Sequence, residues 1–468
     1  MAFNSFQFLV FLPLVFSAYW ALRRSVRMQN LFVVCASYVF YGWWDWRFLS
    51  LVALSSAWAY WLGLMEAGSA PRSRGSKCRL VLSCAVNLGI LAYFKYAGFF
   101  IGEAQALLSA IGVNAHVPAL RIILPVGISF YTFQALSYAI DVYRRTIEPT
   151  RDPIAFFAFI GFFPQLVAGP IERARDLLPQ FLSPREFSYP DVVLGCRQML
   201  WGFFKKVVVA DNCAVVADAL LGGDACRNGV AAWTGMLFFT FQIYGDFSGY
   251  SDIAIGVARL FGIRLTRNFA FPYFAQGMSD FWRRWHISLM TWFRDYLYIP
   301  LGGSRRGRLR HMLNVFAVFL ASGLWHGANW TFVLWGGYHA CLLAFSALFS
   351  GDGRSMLRRS AFGILRTFLF VVIGWTIFRA RSVGECADWL LAMFGFRAFG
   401  SVGFVPGMGY AVAAVVCMLA CEWFNRDGEF GFWRLPACRL VRWAVYLLVA
   451  FATIVLQPSP QPFIYFQF

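Results

Sequence analysis

Apolar runs long enough to cross a bilayer recur along this 468-residue chain from end to end. They read as membrane-spanning helices, so the fold class is all-α and polytopic. Only 14% of residues are charged, against about 25% in a soluble domain, and mean hydropathy is +0.59. No long polar stretch separates the runs, so residues 1–468 read as one transmembrane domain.

The net charge of +18 raises nucleic acid as a partner, but the placement of the basic residues argues against it. They fall in short loops between apolar runs: Arg23, Arg24 and Arg27; Arg72, Arg74, Lys77 and Arg79; Arg144, Arg145 and Arg151; the run 305–310; and Arg354, Arg358 and Arg359. Cytoplasmic loops show this pattern under the positive-inside rule, and it suits anionic lipid headgroups. The partner implied is the lipid bilayer. Eleven cysteines without Cys-x-x-Cys spacing sit mostly inside apolar runs and read as small buried residues. The first apolar run precedes its basic residues and has no signal-peptide cleavage pattern, which predicts a retained helix with an outside N-terminus.

Taken in order, residues 6–22, 30–44, 48–65, 80–101 and 122–142 read as spans, with a turn at Asp45–Arg47 and an outer segment at 102–120. Aromatic residues around Tyr38–Trp46 fit an interfacial belt. Beyond these, residues 154–168 carry Pro164, and residues 192–221 carry Lys205, Lys206 and Asp211. Such pieces suggest re-entrant or half-length helices lining a cavity; the two lysines read as snorkelling to an interface. The total is about ten to twelve spans. No internal repeat is visible, which weakens a secondary-transporter reading.

Residues 321–340, ASGLWHGANWTFVLWGGYHA, are apolar yet hold His326 and His339. An ionisable ring in the bilayer marks a functional site by default, although a core histidine bonded to a carbonyl is the plainer alternative. His326 lies at a break between apolar arms 312–325 and 329–349, flanked by Gly323, Trp325, Gly327 and Asn329. From the basic run at 305–310, about 14 helical residues rise about 21 Å, which sets His326 deep in the membrane, past its middle. A neutral imidazole there can take a proton from an attacking hydroxyl, with Asn329 orienting it or donating to oxyanion charge.

In SDFWRRWHISLMTWFRDYLYIP, residues 279–300, His286 follows Trp282, Arg283, Arg284 and Trp285. The stretch reads as an amphipathic interfacial helix, or as a donor route on which His286 is a second catalytic group; Trp285, Arg283, Arg284 and Arg294 would then hold a phosphate-bearing donor. YGDFSGYSD, residues 244–252, places Asp246 and Asp252 in an apolar run, as structural ion pairs or in support of the site. There is no Walker loop, HExxH or usable Gly-x-Ser-x-Gly, and the histidines lie far in sequence from co-ligands, so neither metal nor nucleotide hydrolysis is expected.

Together LWHGANW, DFSGYSDIAIG, DFWRRWHISL, FRDYLYIPLGG, LPVGISFYTFQ and the ending PFIYFQF resemble the membrane-bound O-acyltransferase family, over essentially the whole chain. The likeness is to the bacterial branch that O-acetylates alginate, with relatives acting on peptidoglycan or cellulose and more distant kin attaching D-alanine to teichoic acids. It implies a helical ring around a thin centre crossed by a tunnel. It makes His326 the family's near-invariant histidine and His286 its second polar position. It also implies acetyl-CoA as the donor substrate, with no permanently bound cofactor. An inner-membrane location follows, with a separate periplasmic acetyltransferase of the SGNH (Ser-His-Asp) type and a polysaccharide export and synthesis complex as partners. Three rivals remain open from the residues themselves: a transporter or channel without bond chemistry, a lipid or teichoic-acid acyltransferase, and a structural scaffold.

Overall fold

The computed structural model describes residues 1–70, 73–113, 122–167, 169–222, 228–349, 360–396, 400–403, 405–458 and 463–464. Arg72, Arg354, Arg358, Arg359, most of the PFIYFQF ending and the end of the expected outer segment lie outside the described residues. Regular structure among the described residues is helical, without strands.

The first helices fall where the apolar runs place them. Ser5 and Ser25 accept backbone N–H groups to start Phe6–Ala21 and Val26–Asp45. Asp45 accepts the Arg47 N–H and opens a single 3-10 turn, Trp46–Phe48, before Leu49–Glu66. The next helix differs from the expectation. Arg74–Ala110 is one 37-residue helix, about 55 Å long, so Arg74, Lys77 and Arg79 lie on its first turns rather than in a loop. Arg79 and Arg145 instead pair with the buried Glu66, at 2.9 and 3.4 Å, and the Ser76 hydroxyl donates to the same carboxylate. An acid 4% exposed would be prohibitive alone, so these two cations hold helices together rather than only facing headgroups.

The 154–168 piece forms two short helices: Pro153–Gly161, started by Asp152, stops at Phe162, and Pro164 lies at the start of Phe163–Leu166. Residues 192–221 do not divide. Tyr189–Phe203 runs through a π-helical segment, Phe204–Ala210, straight into Asp211–Leu221.

Among the described residues, three helical stretches are long and apolar enough to cross a bilayer by themselves, Val26–Glu66, Arg74–Ala110 and Ala361–Arg379, with shorter apolar helices at Phe6–Ala21 and Met408–Phe424. The chain is an all-helical polytopic membrane protein. It forms two compact units, residues 1–189 with 258–265, and residues 190–257 with 266–468. Every side chain of the candidate site and of the buried lysine cluster belongs to the second.

Within that unit, the arms around His326 are the helices Arg308–His326 and Trp330–Phe349, separated by Gly327–Asn329. They pack backbone to backbone. A Cβ on Gly323 would lie 2.2 Å from the Phe332 carbonyl oxygen, and one on Gly336 would lie 2.3 Å from that of Phe319. Small residues permit such approach in bilayers, where dispersion and close packing drive helix association.

Candidate active site

His326 ends its helix, 5% exposed, and its Nδ1 lies 2.6 Å from the Ser322 carbonyl oxygen one turn back. A carbonyl oxygen only accepts, so Nδ1 carries the hydrogen, and in the neutral ring Nε2 holds the lone pair. Aromatic rings box it in: Trp325 at 4.9 Å between centroids, Trp335 at 5.0 Å and Phe378 at 5.5 Å. Ser322, not Asn329, therefore orients the ring. Asn329 is committed elsewhere: its side-chain oxygen accepts the Thr331 N–H at 3.1 Å to start the second arm, and its Nδ2 donates to the Arg381 carbonyl at 2.8 Å.

His286 sits between short helices Met278–Arg284 and Ile287–Phe293, 1% exposed. The residues 279–300 thus do not form one continuous amphipathic helix. Its backbone is left-handed, at φ 44° and ψ 53°, a conformation that costs a non-glycine residue about 1–3 kcal/mol and persists only where the surroundings enforce it. Its Nδ1 lies 3.1 Å from Asn268 Oδ1, and its ring meets Phe247 edge-on at 4.7 Å. Trp325 links the two histidines, with its ring centroid 6.0 Å from His286 and 4.9 Å from His326. The two groups singled out in sequence, 40 residues apart, are thus brought together around one indole.

The expected donor-binding residues separate into two kinds. Trp285 is 2% exposed and packs against Phe269, Phe281 and Trp375, so it is a core side chain that offers a donor no surface. Arg284 bonds Asp280 at 2.9 Å and Arg294 bonds Asp295 at 2.8 Å, which offsets both charges. Arg283 is exposed and donates to the Ser279 carbonyl at 3.2 Å. His339, 1% exposed, fills a gap between Trp282 and Trp335, at 4.9 and 5.1 Å, opposite Gly374, where a Cβ would lie 2.7 Å from its Nε2. It reads as packing.

Asp246 and Asp252 belong to a separate cluster. Lys206 Nζ lies 2.8 Å from both Asp211 and Asp246, and Lys205 Nζ lies 2.6 Å from Asp252 and 2.9 Å from Ser248 Oγ. Both lysines are at most 2% exposed, so they do not snorkel. The reason is local: the π-segment packs against helix Gly229–Leu260 where a Cβ on Gly245 would lie 2.9 Å from the Lys205 oxygen. At that separation the lysines reach the acids of the neighbouring helix before any interface. Glu422, buried on Met408–Phe424, joins by accepting the Tyr244 hydroxyl at 2.7 Å. Asp246 also accepts the Ile464 N–H at 2.6 Å.

Sequence reading missed Asn268, Ser322 and Glu422. Asn268 carried one signal, a lone amide at the head of the apolar run FAFPYF.

Residues 149–384 match the profile of the membrane-bound O-acyltransferase family. The chain is 40% identical to the protein named probable alginate O-acetylase AlgI of Pseudomonas putida, over 100% of both chains. It is 43% identical to a protein of the same name from Azotobacter vinelandii, over 85% of this chain and 78% of that one. It is 34% identical to the peptidoglycan O-acetyltransferase of Helicobacter pylori, over 85% and 80%.

Proposed function

The chain belongs to the membrane-bound O-acyltransferase family, in its alginate O-acetylation branch, and as an O-acyltransferase of that kind we propose that it moves acetyl groups from a cytoplasmic thioester to an exported polysaccharide. The donor is acetyl-CoA, reaching the site from the inner face of the cytoplasmic membrane; the N-terminus is periplasmic. The acceptor is a hydroxyl, either of the polymer (alginate, cellulose or peptidoglycan) or of a serine on a periplasmic SGNH-type acetyltransferase within the polymer export complex.

In this reading His326 Nε2 takes the acceptor's proton as the hydroxyl oxygen attacks the thioester carbonyl. The tetrahedral intermediate collapses, the C–S bond breaks, and the proton returns from the imidazolium to the departing sulfur. A thiol of pKa about 8.5 leaves readily, so its protonation does not govern the barrier. His286, across Trp325, is the second polar group beside the reacting carbonyl. Because His326 is 5% exposed, substrates reach it as side chains packed around it, Trp325, Trp335 and Phe378 among them, give way.

The observation that carries the reading is the His326 Nδ1 contact with the Ser322 oxygen at 2.6 Å, which leaves Nε2 basic. The test is free CoA release by the purified protein with its periplasmic partner and polymer. The expected result is stoichiometric CoA and ester, both lost in His326→Ala. Acyl or ion passage without thioester consumption would instead identify a transporter, and labelled acetate in lipid would move the acceptor.

A further inference from the structure

Asn268 makes more bonds to the His286 turn than any single fold requirement demands. Its backbone oxygen accepts the Ile287 N–H at 2.9 Å. Its side-chain Oδ1 accepts the Ser288 N–H at 3.3 Å and the Ser288 hydroxyl at 2.9 Å, and it faces His286 Nδ1 at 3.1 Å. Its Nδ2 donates to Ser251 Oγ at 3.1 Å, on helix Gly229–Leu260. Asn268 is 0% exposed.

This set fixes the amide's orientation. A backbone N–H can only donate, so the atom facing Ser288 N is the oxygen, and flipping the amide would set NH2 against N–H. An oxygen so placed accepts from His286 as well. The His286 hydrogen therefore sits on Nδ1, and the lone pair of the neutral ring sits on Nε2. The same residue braces the left-handed backbone of His286, the conformation that turns the ring inward between two short helices.

We infer that Asn268 is a positioning residue for the acyl transfer: clamped by Ser251 and Ser288, it sets both the tautomer of His286 and the backbone turn that presents it. His286 and His326 then share one arrangement, with Nδ1 donating to a neutral oxygen and Nε2 basic, one through a side-chain amide and the other through a helix carbonyl. The inference rests on the proposed role of His286 in transfer.

The test uses the full-length protein in lipid nanodiscs with its periplasmic partner. First, 15N-histidine spectra of the wild type, with His286 assigned through His286→Gln, read the tautomer directly. The expected result is a pyrrole-type Nδ1 and an imine-type Nε2. Second, CoA release is measured for Asn268→Ala and Asn268→Asp. The carboxylate keeps an acceptor toward Nδ1 and lets the Ser251 hydroxyl donate. Asn268→Ala should lower kcat by at least about tenfold, less than the roughly 10²–10⁴-fold that a positioned acid–base group contributes in full, with donor KM within about threefold. Asn268→Asp should recover most of that loss and keep the wild-type resonance pattern. The inverse tautomer in the wild type overturns the inference. So does equal loss in both variants with His286 resonances unchanged, since that marks a structural role only. Full activity in His286→Gln, by contrast, removes the role of His286 in transfer while the resonance pattern still reports on the Asn268 clamp, so the two failures are told apart.

Discussion

The Lys205–Lys206 cluster and the His286–His326 centre both bury ionisable side chains in apolar surroundings, and they handle charge in opposite ways. In the first, each ammonium lies within 2.6–2.8 Å of carboxylates, so each positive charge meets an opposite one where it stands. In the second, Nδ1 of each imidazole meets a neutral oxygen, at 2.6 Å from Ser322 and 3.1 Å from Asn268. Opposite charges lock a proton distribution in place; neutral acceptors orient a ring and leave its protonation free to change during a reaction. The aspartates that the sequence offered as supporting residues belong to the locked cluster, and the histidines to the responsive one. A π-helical segment carries the lysines and a left-handed residue carries His286, so each cluster needs a departure from ordinary backbone.

The contrast breaks most readily at His326. Replacing it by Ala should lower acyl transfer by about 10²–10⁴-fold, while thermal unfolding in detergent stays near wild type; unfolding that falls with the activity would make the ring structural. The opposite pattern is expected for Lys206→Met. Removing that ammonium strands Asp211 and Asp246, 2.8 Å from where it stood, and should cost about 3–5 kcal/mol of stability. Adding Asp211→Asn and Asp246→Asn should restore much of it, as read by unfolding of the triple variant; a triple variant no more stable than Lys206→Met would mean that the acids are not the reason for the loss.

A smaller effect tests the edge of the locked cluster. Glu422→Gln keeps an oxygen for the Tyr244 hydroxyl, now at 2.7 Å, so stability should change by no more than about 1 kcal/mol. The smallest effect is expected at Arg283, whose side chain is exposed. Arg283→Ala should raise donor KM by a few fold with kcat unchanged, and a KM that does not move in a donor titration would remove this residue from donor binding.

Much of the helical layout was legible because hydrophobic run length is a local property. Helices at Phe6–Ala21, Val26–Asp45 and Leu49–Glu66 follow the runs, the first two opening on Ser5 and Ser25. The break at His326 was legible from glycine and asparagine in an otherwise apolar stretch. The misread places share one cause. Arg79, Arg145, Lys205 and Lys206 are soluble-looking charges, each with a partner on another helix: Glu66 for the two arginines, Asp252 for Lys205 and Asp246 for Lys206. Nothing in a linear string says that Arg145 meets an acid 79 positions away. Asn329 was read toward the wrong task for the reverse reason: its bond to Thr331, two residues on, captured it locally.

By itself the sequence determined an all-helical membrane protein, the histidine at the break between two apolar arms, and a family likeness strong enough to imply acyl transfer. These depend on composition, periodicity and motif, each readable within a few tens of residues. The tertiary structure alone decided which ionisable groups meet a counter-charge and which meet a neutral oxygen, that Ser322 and Asn268 rather than Asn329 contact the Nδ1 atoms of the rings, and that one indole packs beside both His286 and His326. Those outcomes turn on ångström-scale approach between distant segments, where a burial cost of several kcal/mol per charge either finds a counter-charge or does not.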